Sequence, residues 1–361
     1  MSNRRTFIAG LAAASLTPVT GWSSVGAPDY LAAGLFPDGS YRLSGLDSTG
    51  TILFSLPLPA RGHAAAAHPR TAQAVAFARR PGTFAIVIDC TDGSIVRRLE
   101  APRGRHFYGH GTFTADGTRF FTTENDYEAA KGVIGVWDAT TFARLGEFPS
   151  GGIGPHDMRL LPDGNTLVIA NGGIETHPDT GRTKLNLPTM RSNLTYLDLS
   201  GTVLEQVELP STLHKNSIRH LAVRDDGLVG FAMQWQGSQI EHPALLGLHQ
   251  RGENPRLLSA PDTHQSGIQG YAGNVAFSSD GQSIAITCPR GNALHLFDVQ
   301  SGSFLGAHAF EDVCGLAAGE TGLVFTTGIG TFGALDSDGA KISARSACQW
   351  DNHLIPIRSF G

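Results

Sequence analysis

One short phrase returns along this chain: a His, Asn or Cys, a run of small or apolar residues, and then a turn of the Asp-Gly type. His110-Gly-Thr-Phe-Thr-Ala-Asp-Gly117, His156-Asp-Met-Arg-Leu-Leu-Pro-Asp-Gly164, His220-Leu-Ala-Val-Arg-Asp-Asp-Gly227 and Asn274-Val-Ala-Phe-Ser-Ser-Asp-Gly281 align almost without gaps. Each reads as a strand entering a tight hairpin. Cys314 to Gly322 continues the series, and His63 to Arg70 begins it with Pro and Arg in place of the turn's Asp-Gly. After each phrase come β-rich segments such as Thr166 to Ala170, Thr195 to Asp198 and Val203 to Leu209. Four strands in a repeat of about 40 to 60 residues predict a β-propeller, because one such unit cannot bury its faces without neighbours.

The two ends complete the count. Residues 29 to 58 offer three strands (Asp29 to Phe36, Tyr41 to Leu46, Thr51 to Leu56) that lack an inner partner, and His353-Leu-Ile-Pro-Ile357 is an inner strand with nothing after it. Pairing them closes a seventh blade and removes an open sheet edge. The expected fold is therefore all-β: a single seven-bladed propeller over residues 28–361. Composition agrees, with 45 glycines, 41% hydrophobic residues and no long run of charge.

Residues 1–27 read as a twin-arginine export signal. Asn3-Arg4-Arg5-Thr6-Phe7-Ile8 precedes an Ala/Leu-rich stretch from Ala9 to Leu16, with small residues for cleavage near Val25-Gly26-Ala27. The expected location is the periplasm. The apolar stretch is too short to span a bilayer, so no membrane span is expected after its removal. The formal net charge of −5 becomes −7 once Arg4 and Arg5 are lost, a sign that argues against nucleic acid as a partner. Cys90, Cys288, Cys314 and Cys348 show no CxxC spacing and no disulfide framework.

In a propeller the innermost strands line one axis, so equivalent positions of the repeat become neighbours. The first residue of the phrase is His63, His110, His156, His220, Asn274, Cys314 and His353 around the seven blades. With 14 histidines in 361 residues, chance would place about 0.3 at seven positions, and five stand there. Converging neutral imidazoles are a usual way to hold iron, copper or zinc, so the five histidines are the expected ligands of a transition metal, iron or copper first. Seven residues exceed one coordination shell. Asn274 adds a weak oxygen ligand or only a hydrogen bond, and Cys314 adds a soft ligand or orients the others. A channel plugged by hydrogen-bonded histidines and waters is the competing reading.

Loops that enter the first strand, or join the second and third, share one face. They carry His106, Tyr108, His214, Arg219 and His264, together with Glu124, Asp126, His177 and His242. These residues are expected at the mouth of the channel, because binding residues concentrate on loops. Arg105, Arg219 and Lys184 suit an anionic substrate there, whereas Glu124, Asp126 and Glu128 suit a cation. His68, His249, His295 and His308 are expected away from the axis.

The arginine-pair signal, the His156 to Gly164 phrase, Gly109-His110-Gly-Thr-Phe and Gly172-Gly-Ile-Glu-Thr-His-Pro-Asp179 resemble, over essentially the whole chain, a family of exported bacterial proteins known as a domain of unknown function. Members look like propellers and are often encoded beside imelysin-type and dihaem peroxidase-like proteins. The resemblance implies a periplasmic role with iron or another metal, with a metal ion, a metal chelate or other iron-uptake proteins as partners. It implies no defined reaction and no set of catalytic residues. A looser similarity, to carotenoid-cleaving dioxygenases that also hold iron on a seven-bladed axis, is one of architecture alone.

Two functions follow as expectations: a metal-binding propeller in metal acquisition or metal-dependent redox chemistry, or a non-enzymatic platform that binds a partner protein or cargo. If the chain is an enzyme, a metal-dependent oxidoreductase is expected. A lyase or lactonase with a hard cation fits less well, because the axial positions offer imidazoles rather than carboxylates.

Overall fold

In the computed structural model, which describes residues 21–79, 84–181 and 183–357, seven four-stranded antiparallel sheets form a ring, as the repeat requires. Blades 2 to 7 begin with the inner strands Gly62–Ala67, Arg105–Phe113, Pro155–Leu160, Asn216–Val223, Asn274–Phe277 and Val313–Ala318. Blade 1 is the composite one. Its inner strand is Gln349–Pro356, followed outward by Tyr30–Leu35, Tyr41–Leu46 and Ile52–Leu58. Each inner strand lies against the next, and the circuit closes between Gln349–Pro356 and Gly62–Ala67.

Local chemistry sets each strand's place. Second strands such as Thr166–Asn171, rich in β-branched residues, are buried throughout, whereas the outer strand Phe304–Ala309 alternates half-buried and exposed side chains. The Asp-Gly turns behave as their sequence predicts. Asp116 and Asp280 accept hydrogen bonds from the backbone of Thr118 and Gln282, and Gly117 and Gly281 take positive φ. The apolar residues gather in seven clusters, one between each pair of successive blades. Between blades 2 and 3, for example, Phe77, Phe107, Phe113, Phe120 and Trp137 pack together. Burying both faces of every blade against a neighbour is what holds the ring.

The closing strand runs antiparallel to the first, with Tyr30 opposite Pro356 and Ala32 opposite Leu354. It is longer than His353 to Ile357 because Gln349 to Asn352 also pair or bulge against the first strand. Asp351, nearly buried, accepts from Arg61 Nε at 2.6 Å and Arg79 Nη1 at 2.7 Å, tying blade 1 to blade 2. Most of the expected export signal, residues 1–20, lies outside the described residues. Its last part does not: Trp22 is buried and its Nε1 donates to the carbonyl of His68 at 2.9 Å. No helix among the described residues is long and apolar enough to cross a membrane.

Candidate metal centre

The ring positions coincide with irregularities in the inner strands. In blade 4, Pro155 pairs with Asn171 and Asp157 with Ala170, leaving His156 as an extra residue. In blade 5 the extra residue is Arg219, between Ile218 and His220. His63 and Ala64 face Phe77 between the Gly62 and Ala65 pairings, and Tyr108, Gly109 and His110 lie between those of Phe107 and Gly111. The closing strand shifts register between Trp350 and Leu354, a segment that contains His353. A bulge bends its strand and re-aims a side chain, which turns these imidazoles toward one another. The strand of Asn274 pairs without a shift. Gly109 serves the packing directly: its φ is +106°, and a Cβ there would lie 2.4 Å from His63 Cδ2.

The five histidines form one cluster. Ring centroids are 4.7 Å apart for His63–His353 and His110–His353, 4.8 Å for His156–His220, 4.9 Å for His220–His353 and 5.0 Å for His63–His110. Two triads, His63/His110/His353 and His110/His156/His220, each offer three ring nitrogens within 4.8 Å of one another. His110 Nε2, His156 Nδ1, His220 Nδ1 and His353 Nε2 are buried and have no hydrogen-bond partner among the described residues. Buried polar atoms are rarely left so, and a metal ion would satisfy them.

Burial keeps three of these rings, His156, His220 and His353, neutral. Burial holds His156 and His353 well below the usual imidazole range, reinforced by Arg219 for the first and by His110 and His63 for the second. Burial and His110 bring His220 down to about 3. A neutral imidazole keeps a lone pair for a metal. One carboxylate sits among them: Asp157 Oδ1 is 3.1 Å from His110 Nδ1, and Oδ2 accepts from the backbone N–H of Leu221 at 3.0 Å. Burial alone would raise this carboxyl, but Arg159 and His110 outweigh it and hold it well below the usual range.

Two ring positions do not join the cluster. The Cys314 thiol points at the carbonyls of Thr326 at 3.5 Å and Asp351 at 3.4 Å, and burial pushes it up to about 12, so it stays protonated and lies outside both triads. Asn274 spends its amide on the carbonyls of Leu316 and Asn352, and its oxygen on the N–H of Val275.

The cluster lies between two cavities. The mouth cavity, about 640 Å³, is lined by His63, His156 and His220 with Tyr108, Arg219, Lys184, Gln236, Trp235, Tyr271 and Arg290. On the opposite side a cavity of about 580 Å³ reaches His353 and Asn274. Of the nine residues expected at the mouth, Tyr108 and Arg219 line it. His106 is set back one layer, stacked between Tyr108 and Tyr127 at 5.7 Å from each, and His177 stands edge-on to Tyr127. Glu124 does not line the mouth: it is buried within blade 3, where Arg144 donates two hydrogen bonds to it at 2.7 and 2.9 Å. Asp126 lies 3.6 Å from Arg105 and accepts from the N–H of Ala129. His214 shares a separate groove with Met190 and Glu208, His242 is exposed, and His264 packs on Phe304. These sit off the mouth because the loop order fixes the face of the ring but not the distance from its axis. His68, His249, His295 and His308 are off the axis: His68 meets the carbonyl of Gly117, His249 meets Tyr196, and the other two sit in the third and outer strands of blade 6.

The family model described as "Protein of unknown function (DUF1513)" matches residues 56–357. The chain belongs to this family. For this DUF1513 chain, no curated protein gives a match. Among solved structures, hydrazine synthase of Kuenenia stuttgartiensis is similar, with a TM-score of 0.60 and 14% identity over 89% of this chain and 96% of that one. That likeness is one of fold. What the sequence left unread in the DUF1513 site is Asp157. Its signal was alternation: the residue after a ring histidine turns into the wall, where a carboxylate needs a partner.

Proposed function

We propose that this protein is an exported, periplasmic metal-binding propeller whose axial histidines hold one transition-metal ion, iron or copper, for metal acquisition or metal-dependent redox chemistry. The observation that carries the reading is the convergence of four buried ring nitrogens, on His110, His156, His220 and His353, that lack hydrogen-bond partners among the described residues. Both triads share His110, whose Nδ1 faces Asp157. Only Nε2 of His110 is left to coordinate, so the two triads serve a single ion.

The test is elemental analysis of untagged protein recovered from the periplasm, with optical and electron paramagnetic resonance spectra of the same sample. About one equivalent of iron or copper is expected, lost in H110A/H156A. Protein free of metal, whose thermal stability does not respond to added iron or copper, would replace this reading with a binding platform.

A further inference from the structure

Three successive blades deliver basic side chains to the mouth cavity: Lys184 from blade 4, Arg219 from blade 5 and Arg290 from blade 6. A fourth, Arg79, also lines it but is bound to Asp351. Among the described residues, Asp312 is the lining carboxylate. Lys184 and Arg290 have neutral partners instead: the ammonium donates to Gln236 Oε1, and the guanidinium lies 4.4 Å over the Tyr271 ring. Partial desolvation at the rim, with Arg219 and Arg290 beside it, lowers the Lys184 pKa. The Lys184 ammonium therefore senses both guanidiniums across the cavity. A concave site lined by one sign of charge focuses its field on the opposite charge, and guanidinium forks match oxyanion geometry.

We propose that the mouth binds a small multivalent oxyanion, a polycarboxylate or a phosphate, held jointly by Lys184, Arg219 and Arg290. A multivalent anion gains from cations presented by separate blades, whereas acetate can engage few of them. His63, His156 and His220 line the same cavity, so the bound anion stands over the histidines. Its use as a ligand or carrier at the metal rests on the metal reading above.

The test is calorimetric titration of the full chain with tricarballylate, a tricarboxylate, with pyrophosphate, and with acetate. One of the first two is expected to bind with one equivalent, more tightly than acetate and more weakly as salt is raised. Lys184 and Arg290 are exposed at the rim, so K184Q/R290Q should fold normally and bind that anion at least tenfold more weakly. Whichever of tricarballylate and pyrophosphate binds more tightly identifies carboxylate or phosphate as the natural chemistry. Binding of both no tighter than acetate, or equal binding by wild type and K184Q/R290Q, would overturn the proposal. The metal reading fails separately: it is read from metal content, which K184Q/R290Q should retain, and His110→Ala, at a residue that does not line the mouth cavity, should lose metal while keeping the anion.

Discussion

His110 Nδ1 and Asp157 Oδ1 face each other at 3.1 Å across the boundary between blades 3 and 4. The ionised carboxylate accepts a hydrogen bond from Nδ1–H, the tautomer that leaves the lone pair on Nε2, inside the cluster. An Asp157→Asn substitution keeps the shape but removes the charge that fixes this tautomer. Metal affinity should fall about 10- to 100-fold, measured by competition with a chromophoric chelator.

Gly109 leaves room for the His63 ring at a backbone angle that favours glycine. Gly109→Ala would drive a methyl into that ring and strain the bulged strand. We expect G109A to fold less stably and to bind metal more weakly than wild type, whereas Cys314→Ala, which alters a protonated thiol outside the triads, should leave metal stoichiometry unchanged. Elemental analysis of the two variants side by side distinguishes these outcomes.

The ring closure depends on a carboxylate as well as on the sheet. Asp351→Asn weakens the contacts to Arg61 and Arg79 that join blade 1 to blade 2. Both arginines retain some exposure to water, so the loss should be about 1–3 kcal/mol rather than that of a fully buried pair. Chemical denaturation would show it as a lower midpoint.

His295 gives a pH dependence remote from the cluster. Burial, then His264, lowers its pKa from the usual 6.5 to about 4. Between those values the unfolded chain takes up a proton that the folded chain refuses, so stability falls as pH drops from about 6.5 toward 4. His295→Leu should flatten that part of the profile, followed by thermal melting at successive pH values.

The blade count, the closure and the convergence of five histidines were legible because a cyclic repeat turns sequence register into position around an axis. The direction of each side chain was not. Cys314 shares the register of His63 and the same two-residue bulge, yet its short thiol stays on the carbonyls of Thr326 and Asp351 in the wall, a reach that the repeat does not encode. Glu124 looked like a mouth carboxylate because its partner Arg144 lies on the outer strand of the same blade, a pairing invisible until the strands are placed. Lys184 and Arg219 were read as anion-binding candidates, but Arg290 joined them only when blades 4, 5 and 6 were set side by side.

Because the composite blade takes its inner strand from residues 349–356, a ribosome makes this strand after every other strand of the propeller. The segments Tyr30–Leu35, Tyr41–Leu46 and Ile52–Leu58 must wait through the synthesis of six blades for it. His353 arrives with the same strand, so a nascent chain carries His63, His110, His156 and His220 long before the cluster can be completed. Only a fully translated and closed ring can present all five imidazoles, which would make metal retention a readout of finished assembly.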